Sequence, residues 1–593
     1  MLCGIAGIVK VDKIAAQVKP DTVDRMIECN RWRGPDANGV WHNNEIFFGH
    51  NRLSIIDLSV TSNQPMTDCY ANTIVFNGEI YNYKELWKEL QDDYHFVTKS
   101  DTEVILAAYK KWGKDCVSHF NGEWAFALFD KSNNEVFLSR DRYGIKPFYY
   151  TIHEGNFYFA SEIRSILAAG VKGKTTPDKI ALFLKYRQIE QRTETLLNGF
   201  YPLEPGTSMF IDMNEYSITH HTYYKPDQLF SADIPKDEDE AAEAFGSLLS
   251  DSVRLRLNAD VPVQIMLSGG LDSSAITALA SEFMDVKTLA YVSPGNPNDE
   301  SYYSDMVAKL YETTHQKVNA KAYTFYDNFN TVIDAQDFPT FSEKHVGRFM
   351  LYQEAAKEST VILEGQGGDE VFGGYDAVYK IFREEYAKDL GVELKMHAPK
   401  KLKKSEYATL VEMNEAYKER AGKSGKLVDK MKSGDSYRDR QYVILRNNLL
   451  ALLHTGDRLQ MYHSIEGRYP LLDHRVVEFG MSMPVSFKMQ EYDKHLLRKY
   501  LDKREMLPKE VLYRTDKKGF STSLHDYLLS SVESRDYLMD TFKGYQSKFS
   551  DIFDLSGINK LINEQYNKDV DNVRKLLSIY SLMRYLDKNN ISY

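Results

Sequence analysis

Ser268-Gly269-Gly270-Leu271-Asp272-Ser273-Ser274 packs two glycines, three hydroxyls and one carboxylate into seven residues. Placed between a strand and a helix, such a turn presents unsatisfied N–H groups and a partial positive charge, which together bind phosphate. Gly269 and Gly270 let the main chain approach a ligand, Ser268, Ser273 and Ser274 can donate hydrogen bonds, and Asp272 can hold Mg²⁺. A second glycine-rich run, Glu364-Gly365-Gln366-Gly367-Gly368-Asp369-Glu370, supplies Asp369 as a carboxylate able to share that ion. A third candidate is Cys3. An N-terminal cysteine is a nucleophile whose own α-amine, titrating near ~7.7–8, suits a general base. Taken singly, each has an ordinary alternative: a strand-to-helix turn, a glycine-rich loop, a buried cysteine in an edge strand.

The elements that must carry these residues are legible as patterns. The apolar run Val261–Leu267 reads as a buried strand and Ala275–Ala280 as the helix after the turn. Val286–Val292 and Thr360–Leu363 read as further buried strands, the latter running into the second glycine run. Two glycine-rich strand ends at the carboxyl edge of a parallel sheet form a nucleotide crevice, with a base docking at the end of Val286–Val292. Other phosphate loops do not fit: Gly422-Lys423-Ser424 has Tyr417 where a P-loop needs glycine, and Gly365-Gln366-Gly367 meets Glu370 where a dinucleotide fold needs its third glycine.

In the first half, Met1–Val9 is a small-residue strand, Arg33-Gly34-Pro35-Asp36 a turn, and Gly49–Asp57 a strand. Asn77-Gly78-Glu79 follows the strand Thr73–Phe76, and Ser100 or Asp101 caps a helix. Asp141–Pro147 ends another strand, and Phe159-Ala160-Ser161-Glu162 follows. Prolines punctuate residues 175–240, the charge run Lys236–Glu240 reads as a helix start, and a domain boundary belongs in this region. Residues 380–435 are lysine-rich with helical tendency, and Lys400–Lys404 reads as a solvated face.

Composition bounds the class. A chain of 593 residues exceeds one core, so two or more domains are expected. With 43% hydrophobic and 27% charged residues it reads as a soluble globular protein, and a net charge of −11 argues against nucleic acid as a partner. No apolar run approaches the ~18 residues of a membrane span. The start lacks a basic flank, so no signal peptide is read, and the cytoplasm is the expected compartment. The four cysteines, Cys3, Cys29, Cys69 and Cys116, form no disulfide framework and no zinc pair, and the last three read as small core residues. His153-Glu154 has Phe157 where a zincin needs its second histidine.

The Ser268 loop resembles the S-G-G-x-D-S loop of the ATP pyrophosphatases, which split ATP into AMP and pyrophosphate. The ordered motifs of roughly residues 3–210 resemble the class II glutamine amidotransferases. The remainder, through the Ser268 loop, the Gly365–Glu370 loop, Glu466–Asp473 and Lys517–Phe520, resembles the synthetase half of the glutamine-dependent asparagine synthetases. The resemblance implies an α+β N-terminal-nucleophile αββα sandwich over 1–215. An α/β parallel-sheet ATP-pyrophosphatase domain with a helical C-terminal part is implied over 240–593. By this likeness Cys3 attacks the glutamine amide, Asn77 and Gly78 form the oxyanion hole, Arg52 takes the α-carboxylate, and Glu79 and Asp101 take the α-ammonium. ATP is expected on Leu267, Ser268, Gly269, Gly270, Asp272, Ser273, Ser274, Tyr291, Glu364 and Gly365, with Mg²⁺ on Asp272 and Asp369. Lys517, with Lys518 beside it, is the implied lysine of the second site. The implied partners are glutamine, ATP and aspartate or another carboxylate, with neither nucleic acid nor membrane; a homodimer is the candidate assembly.

Two departures from the family pattern stand out. Leu2 separates the initiator from Cys3, so the α-amine base requires removal of both residues ahead of it. Gln366 occupies the place of an acid in the family's S-G-E-G-S-D-E loop, which makes it the candidate acceptor-site residue and opens the acceptor to question. The alternatives are amidation of an envelope sugar or secondary metabolite, an ammonia-dependent ligase with a silent first domain, and a non-catalytic binding protein.

Overall fold

The computed structural model describes residues 3–187, 193–296, 299–319, 325–375, 380–382, 435–516, 528, 531–567 and 570–593. Two six-stranded antiparallel sheets make up the first half. One runs in spatial order β10 (Tyr201–Pro202), β8 (Tyr149–His153), β9 (Asn156–Ala160), β1 (Gly4–Lys10), β3 (Ile46–Arg52), β2 (Ala37–His42). The other runs β12 (Ser217–Thr222), β11 (Thr207–Asp212), β7 (Glu135–Arg140), β6 (Gly122–Asp130), β5 (Thr73–Ile80), β4 (Met66–Thr67).

Period-two alternation sorts the side chains of these strands into layers. Ile5, Val9 and Phe48 of one sheet meet Val75, Ala127 and Leu138 of the other in a shared core. Ala6 and Ile8 point outward onto Val23, Met26 and Ile27 of the helix Asp21–Glu28. Ile74, Phe76 and Ile80 cluster with Leu86 and Val104 of the helices Tyr83–Leu90 and Asp101–Trp112. The result is the αββα sandwich. Ser100 caps the helix Asp101–Trp112, its hydroxyl accepting the Thr102 N–H at 3.1 Å.

Three expectations change. Cys3 does not open an edge strand, since β1 lies between β9 and β3. Asn77 and Gly78 do not follow their strand but lie inside β5, facing Ala125 and Trp124 of β6. Of the three cysteines read as core, Cys116 is buried, Cys29 is half-buried and Cys69 is exposed.

The second half is organised by a five-stranded sheet of parallel neighbours in the order β15 (Thr314–Val318), β14 (Lys287–Tyr291), β13 (Val263–Met266), β16 (Val361–Leu363), β17 (Glu466–Arg468). β13 has β14 on one side and β16 on the other. The winding direction reverses there, and the loops after β13 and β16 emerge side by side at the carboxyl edge, where open parallel sheets bind their ligands. The helix Glu238–Arg256 opens in the charge run, where the Asp237 carboxylate accepts the Asp239 and Glu240 N–H groups at 3.0 Å each. The helices Val532–Phe549, Leu555–Asn567 and Val573–Lys588 form the C-terminal part. Among the described residues no helix is long and apolar enough to cross a membrane.

Candidate active sites

The first site sits where β1 begins, against the inner face of β5. The Cys3 N–H donates to Asn77 Oδ1 at 2.9 Å, and Arg33 Nε donates to the Cys3 carbonyl at 3.2 Å. Cys3 is fully buried, and burial pushes its thiol up to about 12. The bond to Oδ1 orients the Asn77 amide, and among the described residues its buried Nδ2 has no hydrogen-bond partner. A buried donor left unmade costs about 1–3 kcal/mol, so its presence beside the candidate nucleophile Cys3 points to a ligand oxygen. Gly78 is obligatory next to it: a Cβ there would lie 2.1 Å from the Glu123 carbonyl oxygen.

The other residues of the glutamine set surround this point. Arg52 is braced by the loop that follows, donating to the Ser59 carbonyl at 2.8 Å, Asn63 Oδ1 at 2.7 Å and the Asp57 carbonyl at 2.5 Å. The Asp101 carboxylate accepts the Ile80 N–H at 3.0 Å, and burial raises its carboxyl. Glu79 lies on the same face of β5 as Asn77. It pairs with Arg468 of the second half at 3.4 Å, and burial pushes its carboxyl up to about 7.

The second site forms where the two glycine-rich loops touch. A Cβ on Gly365 would lie 2.9 Å from the Ser273 nitrogen, and one on Gly368 would lie 2.5 Å from Asp272 Oδ1. Gly269 has φ 78, the left-handed region glycine favours. The Ser273 hydroxyl accepts the Ser268 N–H at 3.2 Å and donates to the Gly270 carbonyl at 3.1 Å, which shapes the turn. Leu267 is buried beneath it, and Ser274 Oγ, in the first turn of the helix Leu271–Ala280, is buried without a partner among the described residues. Tyr291 ends β14, and Glu364 directly follows β16. Gln366 Oε1 is also buried without a partner among the described residues.

Sequence reasoning missed the residue at the centre of this site. Lys494 Nζ reaches Asp272 Oδ1 and Oδ2 at 2.7 and 2.5 Å and Asp369 Oδ1 at 2.5 Å. Burial works against its charge, but the two carboxylates outweigh it and hold the ammonium well above the ordinary lysine range. Lys494 is in the left-handed region with φ 52, directly before the helix His495–Lys503. No local feature of the sequence marks it; the conformation and the ion pairs are visible only in the folded chain. Arg514 was missed as well. It donates to the Gly269 carbonyl at 3.2 Å, pairs with Glu300 at 2.6 Å, and so clamps the Ser268 loop. The expected Lys517, with Lys518, lies outside the described residues.

Buried ion pairs join the two sites. Arg33, which supports the Cys3 carbonyl, grips Asp457 of the helix Leu449–Tyr462 at 2.8 and 3.0 Å and Glu162 at 2.8 Å. Removing one partner of such a pair costs about 3–5 kcal/mol by stranding the other charge. Arg468 donates to Glu466 at 2.5 Å as well as pairing with Glu79, and its carbonyl accepts the Glu364 N–H at 3.0 Å. Burial favours the neutral form of Glu466, yet beside Arg468 its carboxyl is held at about 2.

A thiol beside an aimed amide donor, and in the same chain two touching glycine-rich loops with paired carboxylates and a lysine, fit an ATP-dependent ligase that takes its nitrogen from glutamine. Comparison with known proteins agrees. The chain belongs to the asparagine synthase family, which it matches over residues 244–587, with a glutamine amidotransferase domain over 2–224. It is 33% identical over 549 residues to Asparagine synthetase [glutamine-hydrolyzing] 3 of Bacillus subtilis, covering 86% of each chain. It is 27% identical to Asparagine synthetase [glutamine-hydrolyzing] 1 of the same organism, over 98% of this chain and 96% of that one. It is also 29% identical to Amidase chry2 of Gibberella zeae, over 82% of this chain and 83% of that one.

Proposed function

We propose that the protein is a glutamine-dependent asparagine synthetase in which a glutaminase unit, residues 1–215, feeds ammonia to a ligase unit, residues 240–593. In the first unit the Cys3 sulfur adds to the glutamine amide carbon while the Asn77 Nδ2 and the Gly78 N–H receive the oxyanion. Arg52 takes the α-carboxylate, and Glu79 and Asp101 take the α-ammonium. Ammonia leaves, and water releases glutamate from the thioester. In the second unit an aspartate β-carboxylate oxygen attacks the α-phosphorus of ATP and pyrophosphate departs. Ammonia then displaces AMP from the acyl carbon.

The two carboxylates that converge on Lys494 suit Mg²⁺, which takes one or two carboxylates together with phosphate oxygens. Asp272 and Asp369 would hold the ion, which neutralises phosphate charge when bound. Lys494 would then turn its ammonium to the departing pyrophosphate, supported by the Ser268 loop that Arg514 holds. The observation that carries this reading is Arg468, whose guanidinium pairs with Glu79 at the glutamine site and whose carbonyl fixes Glu364 at the ATP site. The alternative is another carboxylate acceptor, favoured by Gln366 where the family has an acid.

Pyrophosphate release from ATP and glutamine, measured with L-aspartate and a panel of other carboxylates, tests the reading. Efficient turnover with aspartate supports it, and turnover with a different acceptor alone selects the alternative. A pH profile adds a second test. Glutamine binding needs the Glu79 carboxylate, and its acid sits at about 7 in the free protein. Lowering the pH through 7 protonates it, so kcat/KM for glutamine should fall on the acid side, and Glu79→Gln should be low and lack that limb. A wild-type kcat/KM for glutamine in Glu79→Gln would remove Glu79 from the glutamine site.

A further inference from the structure

We propose that Arg348 determines acceptor specificity by binding a second anionic group on the molecule whose carboxylate is activated, which restricts the acceptor to dicarboxylates. The proposal rests on the ligase reading above and names the residue that selects its substrate.

Arg348 lies on the helix Lys344–Ala355, which precedes β16. A helix leading into a parallel strand runs antiparallel to it, so its first turns lie toward the carboxyl edge where the ligand crevice opens. Arg348 and Tyr352 are four residues apart and share one helix face. Tyr352 is fixed: its hydroxyl donates to Glu364 Oε1 at 2.6 Å. Gln460 Nε2 donates to the same oxygen at 3.2 Å, and the Tyr469 hydroxyl holds Gln460 Oε1 at 3.2 Å. Gly467 leaves the room for Gln460, since a Cβ there would lie 2.3 Å from its Oε1.

This network commits Glu364 Oε1 and leaves Oε2 facing Arg348 at 3.7 Å. That is the guanidinium's one ion pair among the described residues. It is too long for a hydrogen bond, and the side chain remains 24% exposed. Of its neighbours Tyr352, Glu364, Tyr469 and Tyr375, Glu364 is the one that carries charge at neutral pH. A guanidinium offers five N–H donors in a fork that matches a carboxylate. Here the fork faces a counter-charge at 3.7 Å and makes no hydrogen bond among the described residues, beside a loop where Gln366 Oε1 is buried without a partner among them. Glu364 balances the guanidinium charge without using its geometry, so an incoming carboxylate can take the fork.

The test compares wild type, Arg348→Gln and Arg348→Lys. Pyrophosphate release is followed with L-aspartate and succinate, and with succinamate, in which one carboxylate is an amide. Binding of radiolabelled L-aspartate is measured separately, by equilibrium dialysis in the presence of a non-hydrolysable ATP analogue. Wild type should bind aspartate, use both dicarboxylates and discriminate against succinamate. Arg348→Gln should raise the KM for dicarboxylates about 10- to 100-fold, with the KM for ATP and the glutaminase rate unchanged. Arg348→Lys should fall between, and equal thermal midpoints exclude misfolding. Equal use of succinate and succinamate by wild type, unchanged aspartate binding in Arg348→Gln, or a rise in the KM for ATP instead, would each overturn the proposal. If wild type binds aspartate in an Arg348-dependent way but no acceptor releases pyrophosphate, the ligase reading fails while the binding role of Arg348 stands.

Discussion

Cys3→Ala should abolish glutamine-dependent synthesis, by on the order of 10⁴-fold or more, and leave synthesis from ammonium salts near the wild-type rate. In the proposed reaction the sulfur bonds to the amide carbon, and alanine removes it while keeping the small volume that the centre of the first sheet tolerates. The Cys3 main chain is already committed, N–H to Asn77 Oδ1 and carbonyl to Arg33 Nε, so the substitution leaves the hydrogen-bonded frame in place. The thiol is buried and protonated at rest, pushed up to about 12, so attack requires its proton to be drawn off as substrate enters. Glutamate formation from glutamine and amide formation from ammonium chloride, assayed in parallel, separate the two sites. Residual glutamine hydrolysis in the alanine variant at more than a few per cent of wild type would mean that another group is the nucleophile.

Lys494→Ala should lower pyrophosphate release by about 10²- to 10³-fold and leave glutaminase activity intact. Lys494 is the cation shared by Asp272 and Asp369, and its side chain is only 2% exposed. Its loss sets two carboxylates against each other in a crevice that must also receive a triphosphate. Like charges there raise the energy of the bound anion, and no other cation among the described residues reaches both carboxylates. Asp272→Ala should share the phenotype, because the same cluster is broken from the opposite side. Lys494→Arg keeps the charge but not the point geometry, and should recover part of the rate. Normal AMP production by Lys494→Ala would remove this lysine from the chemistry.

What was legible in the sequence came from residues whose neighbours in the chain are also their neighbours in space. The Ser268 loop follows its own strand and opens its own helix, so apolar run, glycines and hydroxyls announced the phosphate turn. Asp237 caps the helix of its own charge run for the same reason. The motifs of the first half marked both Cys3 and Asn77, and their contact followed from the family order. Asn77-Gly78 was misplaced because an Asn-Gly pair usually turns a hairpin. Here the shared core and the close approach of Glu123 keep it inside β5.

The sequence by itself determined the family and its class of reaction, the parallel sheet with its glycine-rich strand ends, and Asp272 and Asp369 as candidate carboxylates. Only the tertiary structure decided which cation joins those carboxylates, because Lys494 lies 222 residues beyond Asp272 and looks locally like any lysine before a helix. It alone set Arg468 between Glu79 and Glu364, Arg33 against Asp457, and Arg348 against a committed Glu364. Buried charges find partners wherever the packed chain brings an opposite charge. That pairing is set by burial and distance in the folded molecule, and no spacing along the chain encodes it.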